Sequence, residues 1–528
     1  MPNNLRISLR PVQTELTAPA GTALRDLLFA QGVEFPCGGQ GRCRGCRIHV
    51  LEGQVSVNDA QRERLSAEEI VQGWRLACQC SLEDDLVIEL RQWDAAILVD
   101  ETPFVFNPRA GLGVAVDMGT TTLVTQLLDF NTGRVLAVRT ALNSQARFGA
   151  DVMSRVRYAV AEGGAAQLRD LIRRQIGGLI EQLVFAAQVA EGVITDVVVV
   201  GNTVMHHLFC GLDAEPLSRY PFESPELGLQ TFRPDELGWK LSGNAQVRFL
   251  PCLGGFVGSD ILAGILATNL GEREDLNGLV DLGTNGEIVI GNRQRLLCAS
   301  TAAGPAFEGA RISMGMRAAT GAISEVAVKD HTIRCRVLGN VPPQGLCGSG
   351  LVDAVAAGLE LGRIQPSGRF NGGGPWELAA PVALTQSDIR ELQLAKGAIA
   401  AGIRMLLGQF GASADDLKKL YLAGAFGNYI NRASAERIGL IRFPAEKVEA
   451  AGNTALLGAK LALFRPEGED VSFNHLRRRT EHVALNADQS FQDIFVEEMA
   501  FPDRGVGDWG LGAEENREPN AKNPAPNI

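Results

Sequence analysis

Two stretches of this chain share one pattern. Gly113-Val114-Ala115-Val116-Asp117-Met118-Gly119-Thr120-Thr121-Thr122 is an apolar run that ends in aspartate and breaks into glycine and threonines. The order returns in Gly278-Leu279-Val280-Asp281-Leu282-Gly283-Thr284-Asn285-Gly286, which continues into Glu287-Ile288-Val289-Ile290. One such run is explained by a tight strand turn. Two, each after an apolar strand, predict an internal duplication of similar halves. In the first half Leu123–Leu128 and Arg134–Thr140 read as the next two strands, joined at Asn131-Thr132-Gly133.

The chemistry of the pair follows from residue type. Glycine-containing turns let backbone N–H groups approach phosphate oxygens closely, and threonine hydroxyls add donors. A carboxylate beside each turn can hold hydrated Mg²⁺ or orient an attacking water. A second matched pair supports duplication. Val197-Val198-Val199-Val200-Gly201-Asn202 and Lys419-Leu420-Tyr421-Leu422-Ala423-Gly424-Ala425-Phe426-Gly427-Asn428 are both buried-strand patterns breaking into small residues. Such a turn admits a flat adenine ring; close helix–strand packing is the other reading. The chain has no G-x-x-x-x-G-K-[ST] motif, and no G-x-G-x-x-G follows a strand. The duplicated pattern resembles the superfamily of acetate and sugar kinases, heat-shock chaperones and actin. That resemblance implies phosphates held between two ribonuclease-H-like halves.

A separate signal precedes the duplication. Cys37-Gly38-Gly39-Gln40-Gly41-Arg42-Cys43-Arg44-Gly45-Cys46 sets three cysteines in ten residues, and Cys78 follows in Leu76-Ala77-Cys78-Gln79. Three clustered thiolates and one remote thiolate suit a small iron–sulfur cluster. Zinc is the competing reading, but zinc sites usually pair two C-x2-C motifs, and only one is present here. Cys80 competes with Cys78 as fourth ligand; the Arg-Leu-Ala-Cys-Gln context favours Cys78. Around the loop, Leu5–Leu9 alternates as a strand and Thr22 is placed to cap a helix over Ala23–Ala30. Arg47–Leu51 and Leu86–Leu90 read as strands, with a polar helix near Ser66–Val71. This order resembles the plant- and vertebrate-type 2Fe–2S ferredoxins, which implies a β-grasp domain. The C-x5-C first gap matches the vertebrate type.

At 528 residues the chain needs several domains. The expected division is a 2Fe–2S domain over 1–93 and a linker over 94–111. The two halves of the ATPase module follow over 112–275 and 276–500, with a disordered tail over 501–528. The fold class is thus α+β and α/β multidomain, a ferredoxin-like domain ahead of a duplicated actin/sugar-kinase-type module. Asp151–Ala161, Gln167–Ala190, Gly350–Leu361 and Ser387–Phe410 read as amphipathic helices. A net charge of −11 without a basic stripe argues against nucleic acid. No run of 18 apolar residues is present, and Met1–Leu16 lacks the apolar core of a signal peptide, so a cytoplasmic protein is expected. The scattered Cys210, Cys252, Cys298, Cys335 and Cys347 read as buried thiols. His206 and His207 read as structural or hinge residues, with contact to a partner as the alternative.

The two modules together resemble the reductive activators of corrinoid proteins. Val200-Gly201-Asn202-Thr203-Val204-Met205-His206-His207-Leu208, Ala302–Ala310, Gly345-Leu346-Cys347-Gly348-Ser349-Gly350 and Leu422–Asn428 carry the resemblance. It implies ATP-dependent return of one electron to a Co(II) corrinoid on a methyl-carrier protein, giving Co(I). By this resemblance Cys37, Cys43, Cys46 and Cys78 hold the cluster. Asp117 and Asp281 serve Mg²⁺ and water, and Gly119, Thr120, Thr121, Gly283, Thr284 and Asn285 cradle phosphates. Gly424, Ala425, Phe426, Gly427 and Asn428 line the adenosine side. Glu287 is a candidate water-orienting carboxylate; a surface residue is its alternative. An upstream electron donor and a homodimer are further expectations. The other function classes are a small-molecule kinase with a redox-regulatory domain, and a passive electron carrier.

Overall fold

The computed structural model describes residues 4–10, 14–29, 46–89, 106–120, 122–149, 151–190, 194–241, 244–283, 285–309, 311–316, 318, 321–372, 374–465 and 470–503. Its N-terminal sheet has five strands in the order Thr14–Pro19, Asn4–Arg10, Leu86–Glu89, Arg47–Glu52, Trp74–Leu76. Alternation in the first strand turns Ile7 and Leu9 inward, where they meet Ile48, Leu76 and Ile88 in a small core. The helix Leu24–Phe29 crosses that core. Thr22 does not cap it: its hydroxyl donates to Pro19 O at 2.6 Å and closes the preceding turn. The expected polar helix is Ala67–Val71, opened by a Ser66/Glu69 capping box. Sequence periodicity missed the helix Asp59–Arg64 and the short strand Trp74–Leu76. Both are too brief to show a period.

The rest of the chain holds two six-stranded sheets built on one plan. In the first, Leu112–Met118, Thr122–Asp129 and Val135–Leu142 form an antiparallel meander. Ile194–Val200 joins the meander in parallel, and Gln246–Phe249 joins Ile194–Val200 in parallel. In the second, Asn277–Leu282, Gly286–Gly291 and Leu296–Thr301 form the meander, followed by parallel Lys419–Ala423 and Val448–Gly452. The Val197–Val200 run is fully buried, as a central strand covered on both faces must be. Ala165–Ala187 lies on the first sheet and Gln386–Phe410 on the second.

Two helices fasten the halves. Ser259–Ala267 leads from the first sheet and Thr454–Leu463 from the second, and they pack against each other. They cross closely: a Cβ on Gly458 would lie 2.1 Å from Ala263 O. Ile261, Leu262, Ala455 and Leu456 share one core with Ala115, Val198 and Val200 of the first sheet and Leu279 and Val289 of the second. The second half also carries a three-stranded sheet of Ala322–Lys329, Thr332–Val337 and Gly345–Leu346. The C-terminal helix Ser490–Met499 rests on Gln386–Phe410. Phe501, assigned from sequence to a disordered tail, is instead buried, and its N–H donates to Pro366 O at 2.8 Å. Low complexity beyond it obscured an anchored residue. Residues 504–528 lie outside the described residues. Among the described residues no helix is long and apolar enough to cross a membrane.

Candidate functional site: a carboxylate cleft and a cysteine pair

The two Asp-x-Gly-Thr runs end corresponding strands. Asp117 pairs with Val200, the last residue before Gly201-Asn202. Asp281 pairs with Ala423, the last residue before Gly424. Each aspartate therefore stands beside the small-residue turn of its neighbouring strand. The approach is close. A Cβ on Gly201 would lie 2.7 Å from Met118 O, and one on Gly424 would lie 2.5 Å from Asp281 Oδ1. Gly424 also has φ +83°, which disfavours any L side chain.

The turns themselves match. Gly119 N–H donates to Thr122 O and Gly283 N–H to Asn285 O, both at 3.1 Å. In the first turn the carbonyls are pulled inward. Asn143 Nδ2 donates to Gly119 O at 2.9 Å, and Arg155 Nη2 to Thr120 O at 2.6 Å. Asn202 Nδ2 donates to Thr120 Oγ1 at 2.8 Å. A trans peptide opposes its C=O and N–H, so holding Gly119 O inward turns Thr120 N–H outward. Arg155 is fully buried, and burial lowers its pKa to about 10. Thr121 and Thr284 lie outside the described residues.

The halves differ in one respect. The second turn is a residue shorter, so Glu287 pairs opposite Asp281, whereas Val124 stands opposite Asp117. Glu287 is buried, which removes the surface reading. Asn285 hydrogen-bonds its side chain. Asp260, in the first turn of Ser259–Ala267, completes the group. Burial first, and then mutual repulsion, raises these acids. Asp281 is pushed up to about 7 by burial and the Asp117 charge, and Asp260 to about 8 by burial, Asp281 and Asp117. Glu287 is pushed well above the usual carboxylate range by burial and the charges of Asp260 and Asp281. Asp117 rises to about 6 by burial, offset by a donor from the other half, Asn453 Nδ2 at 2.8 Å.

The acid-rich floor fits a cation, since crowded buried carboxylates need a positive charge to ionise together. Among the described residues no three His, Cys, Asp or Glu side chains converge closely enough to ligate a bare ion. A cation at this floor would keep part of its own hydration shell. The helix Gly424–Tyr429 carries Gly424, Ala425, Phe426, Gly427 and Asn428 directly after the interior strand Lys419–Ala423 of the second sheet. Phe426 stacks on Phe307, with centroids 4.7 Å apart and planes 23° from parallel.

Sequence reading did not find Asp260, Asn143, Arg155 or Asn453. Asn453 and Asp260 shared one usable signal: Gly452-Asn453-Thr454-x-Leu456-x-Gly458 echoes Gly258-Ser259-Asp260-x-Leu262-x-Gly264. His206 and His207 are fully buried, which leaves the structural reading. His207 bridges Thr203 O and Ser224 Oγ, each at 2.8 Å.

At the N-terminal domain Cys46 and Cys78 come from adjoining segments, held by Ala77 N–H donating to Cys46 O at 3.0 Å. Cys80 turns the other way. Its thiol donates to Leu76 O at 3.1 Å, and burial pushes its pKa up to about 12. Cys46 and Cys78 are thus brought near each other by one backbone hydrogen bond, as two ligands of one cluster would be; Cys37 and Cys43 lie outside the described residues.

Three family models match the chain. One described as the C-terminal domain of RACo, the ASKHA domain, covers residues 275–509, and one described as the RACo middle region covers 112–273. A 2Fe-2S iron-sulfur cluster binding domain covers 7–83. The corrinoid activation enzyme RamQ of Eubacterium limosum is 29% identical over 593 residues, spanning 94% of this chain and 99% of its own. The Co(II) methylated amine-specific corrinoid protein reductase of Methanosarcina barkeri is 26% identical over 427 residues, spanning 75% of this chain and 78% of its own. A solved structure titled reductive activator for corrinoid,iron-sulfur protein is 28% identical, with a TM-score of 0.67 over 95% of this chain and 99% of that one. With a 2Fe–2S ferredoxin-like domain ahead of a duplicated actin-like module, the chain belongs to the family of reductive activators of corrinoid proteins.

Proposed function

We propose that this chain uses ATP hydrolysis to drive one electron onto a Co(II) corrinoid held by a methyl-carrier protein, regenerating Co(I). The observation that carries the reading is the facing pair Asp117 and Asp281, each beside a glycine turn and set between two halves that share a core. In this reading Gly119, Thr120, Thr121, Gly283, Thr284 and Asn285 hold phosphates through backbone N–H groups and short polar side chains. Asp117 and Asp281 orient the hydration shell of Mg²⁺, which when bound neutralises phosphate charge. Asp260 and Glu287 take up or release the proton that accompanies water attack, since burial first and then the neighbouring acids raise both carboxyls. Gly424–Asn428 border the adenosine.

The ferredoxin-like domain is proposed to span 1–93 and the two halves 112–275 and 276–500. Cys37, Cys43, Cys46 and Cys78 would hold the 2Fe–2S cluster, which when bound supplies single electrons. Uphill transfer sets a scale. One electron moved tenfold against equilibrium corresponds to about 59 mV, or about 1.4 kcal/mol. Four decades require roughly 5.5 kcal/mol of differential binding between two states. The cleft offers a source, because its floor joins residues of both halves.

The test is hydrolysis. ATP turnover by the reduced holoprotein should rise when a cognate Co(II) corrinoid protein is added, with ADP and inorganic phosphate in equal amounts and no phosphorylated acceptor. Phosphate appearing on an added sugar or carboxylate, with no response to the corrinoid protein, would favour a kinase and end this reading.

A further inference from the structure

Asp26 is a carboxylate on a surface helix of a small domain, yet only 3% of it is exposed. What covers it lies 310 residues away: Arg336 Nη2 donates to Asp26 Oδ1 at 2.7 Å. Gly339 N–H reaches Asp26 Oδ2 at 3.4 Å, and Arg25 Nε reaches Oδ1 at 3.4 Å. Ionised carboxylates are buried only when paired, and here both oxygens have donors. The Gly339 donor comes from a turn with φ 78° at Gly339 and 50° at Asn340, a left-handed pair that glycine and asparagine tolerate. The helix Leu24–Phe29 packs on this turn, Leu338–Asn340, and also on Ala77–Gln79, which bears Cys78.

We infer that the Thr332–Asn340 segment is a built seat for the ferredoxin-like domain, that Asp26 is the key residue seated in it, and that nucleotide in the cleft changes how firmly the domain is held. The last clause rests on the function proposed above. A continuous set of contacts joins seat to cleft. Arg336 pairs with Glu325 on the strand Ala322–Lys329. Cys347 N–H donates to Ile323 O of that strand at 3.1 Å, where the helix Gly348–Glu360 begins. That helix start has no slack: a Cβ on Gly348 would lie 1.9 Å from Phe307 O, and one on Gly350 would lie 2.2 Å from Ile323 O. Phe307 stacks on Phe426, in the helix that begins with Gly424 beside Asp281. A packed route transmits a shift only if the seat has two occupancies that nucleotide binding biases. The arrangement gives the domain a held position from which release is a discrete step, since buried Asp26 loses the Arg336 and Gly339 donors together. The seat thereby sets when the cluster end of the domain is free to meet another protein.

Amide hydrogen exchange on the anaerobic full-length holoprotein tests both parts. Arg336→Glu should speed exchange in 332–340 and 24–29 by roughly tenfold or more, as expected for setting a like charge against the buried Asp26 carboxylate. The visible 2Fe–2S spectrum should be unchanged. Asp26→Ala, made on the opposite side, should produce the same loss of protection in 332–340, so misfolding of one variant does not decide the matter. Wild-type exchange rates in both variants would overturn the seat. Mg²⁺ with a non-hydrolysable ATP analogue should shift exchange in 332–340 at least threefold in the wild type. The segments 117–122 and 281–287 report nucleotide binding itself. A response there without one in 332–340 overturns the coupling; no response in either place overturns the cleft reading on which the coupling rests.

Discussion

Asn453 and Asp117 lie 336 residues apart, and the Asn453 amide donates to Asp117 Oδ2 at 2.8 Å. The same side chain accepts from Leu456 N–H at 2.8 Å and so caps the helix Thr454–Leu463. One asparagine therefore starts a helix of the second half and offsets part of the cost of burying an aspartate of the first. Relative motion of the halves must stretch this bond.

Replacing it should be felt twice. Asn453→Ala removes a cap, at a cost of about 1 kcal/mol, and leaves Asp117 with its charge less satisfied. Calorimetry should show a lower melting temperature, and titration a nucleotide affinity weakened roughly tenfold, the equivalent of about 1.4 kcal/mol. An unchanged melt together with unchanged affinity would place no weight on the bridge.

The acid cluster gives stability a pH dependence with a defined sign. Folding raises Asp117 to about 6, Asp281 to about 7 and Asp260 to about 8, against an ordinary value of 3.8. The folded chain thus binds more protons than the unfolded one between those limits, and stability from these groups falls as pH rises from about 4 to 8. Asp281→Asn should melt higher than wild type without nucleotide. The gap should widen from pH 5 to pH 8 and reach a few kcal/mol, since tenfold in a proton-binding constant corresponds to about 1.4 kcal/mol. ATP hydrolysis should meanwhile drop at least about a hundredfold. Melts of the two proteins across pH, with Mg²⁺ removed by chelator, check the sign; a gap that narrows as pH rises would contradict it.

Cys78 and Cys80 should behave oppositely. Cys80→Ala removes a thiol held against Leu76 O and should keep the 2Fe–2S visible spectrum with a small loss of stability. Cys78→Ser should lose or markedly shift that spectrum after reconstitution. Iron and sulfide content alongside absorbance would settle the pair, and a normal spectrum in Cys78→Ser would return Cys80 to contention.

Gly424→Ala introduces a Cβ 2.5 Å from Asp281 Oδ1 at a φ of +83°. The expected cost is at least about 1–2 kcal/mol of stability, with nucleotide affinity reduced by more than tenfold. Gly178→Ala is a fair control, because nothing lies within 4 Å of its Cβ position and it sits inside a helix. Equal effects from the two substitutions would detach Gly424 from the cleft.

The architecture was legible where the chain repeats itself. Asp117 and Asp281 announce matched strand ends, and the structure places them at corresponding positions of two sheets with the same core topology. The long helices were legible for the same reason: twenty residues of period 3.6 leave little ambiguity. Arg155 and Asn143 were not. Their work is done on the carbonyls of Gly119 and Thr120 through folds of the chain that no local spacing encodes. Asp260 reads locally as one acid in an apolar helix start, and only the third dimension brings it against Asp281 and Asp117. Glu287 needed the length of a turn. One residue fewer than in the first half sets it opposite Asp281 rather than out of register. Asp26 gave no signal, because its partner belongs to a different domain.

The central claim joins the cysteine domain and the acid cleft in one reaction, and a spectrum tests it directly. Reduced holoprotein is mixed under anaerobic conditions with a cognate Co(II) corrinoid methyl-carrier protein, and the visible absorption is followed with and without Mg²⁺ and ATP. The account predicts growth of the Co(I) band with ATP, its loss in Asp281→Asn, and its loss in Cys78→Ser. Co(I) formed at the same rate and extent without ATP, or a Co(II) spectrum unchanged by ATP while the cluster stays reduced, would contradict it.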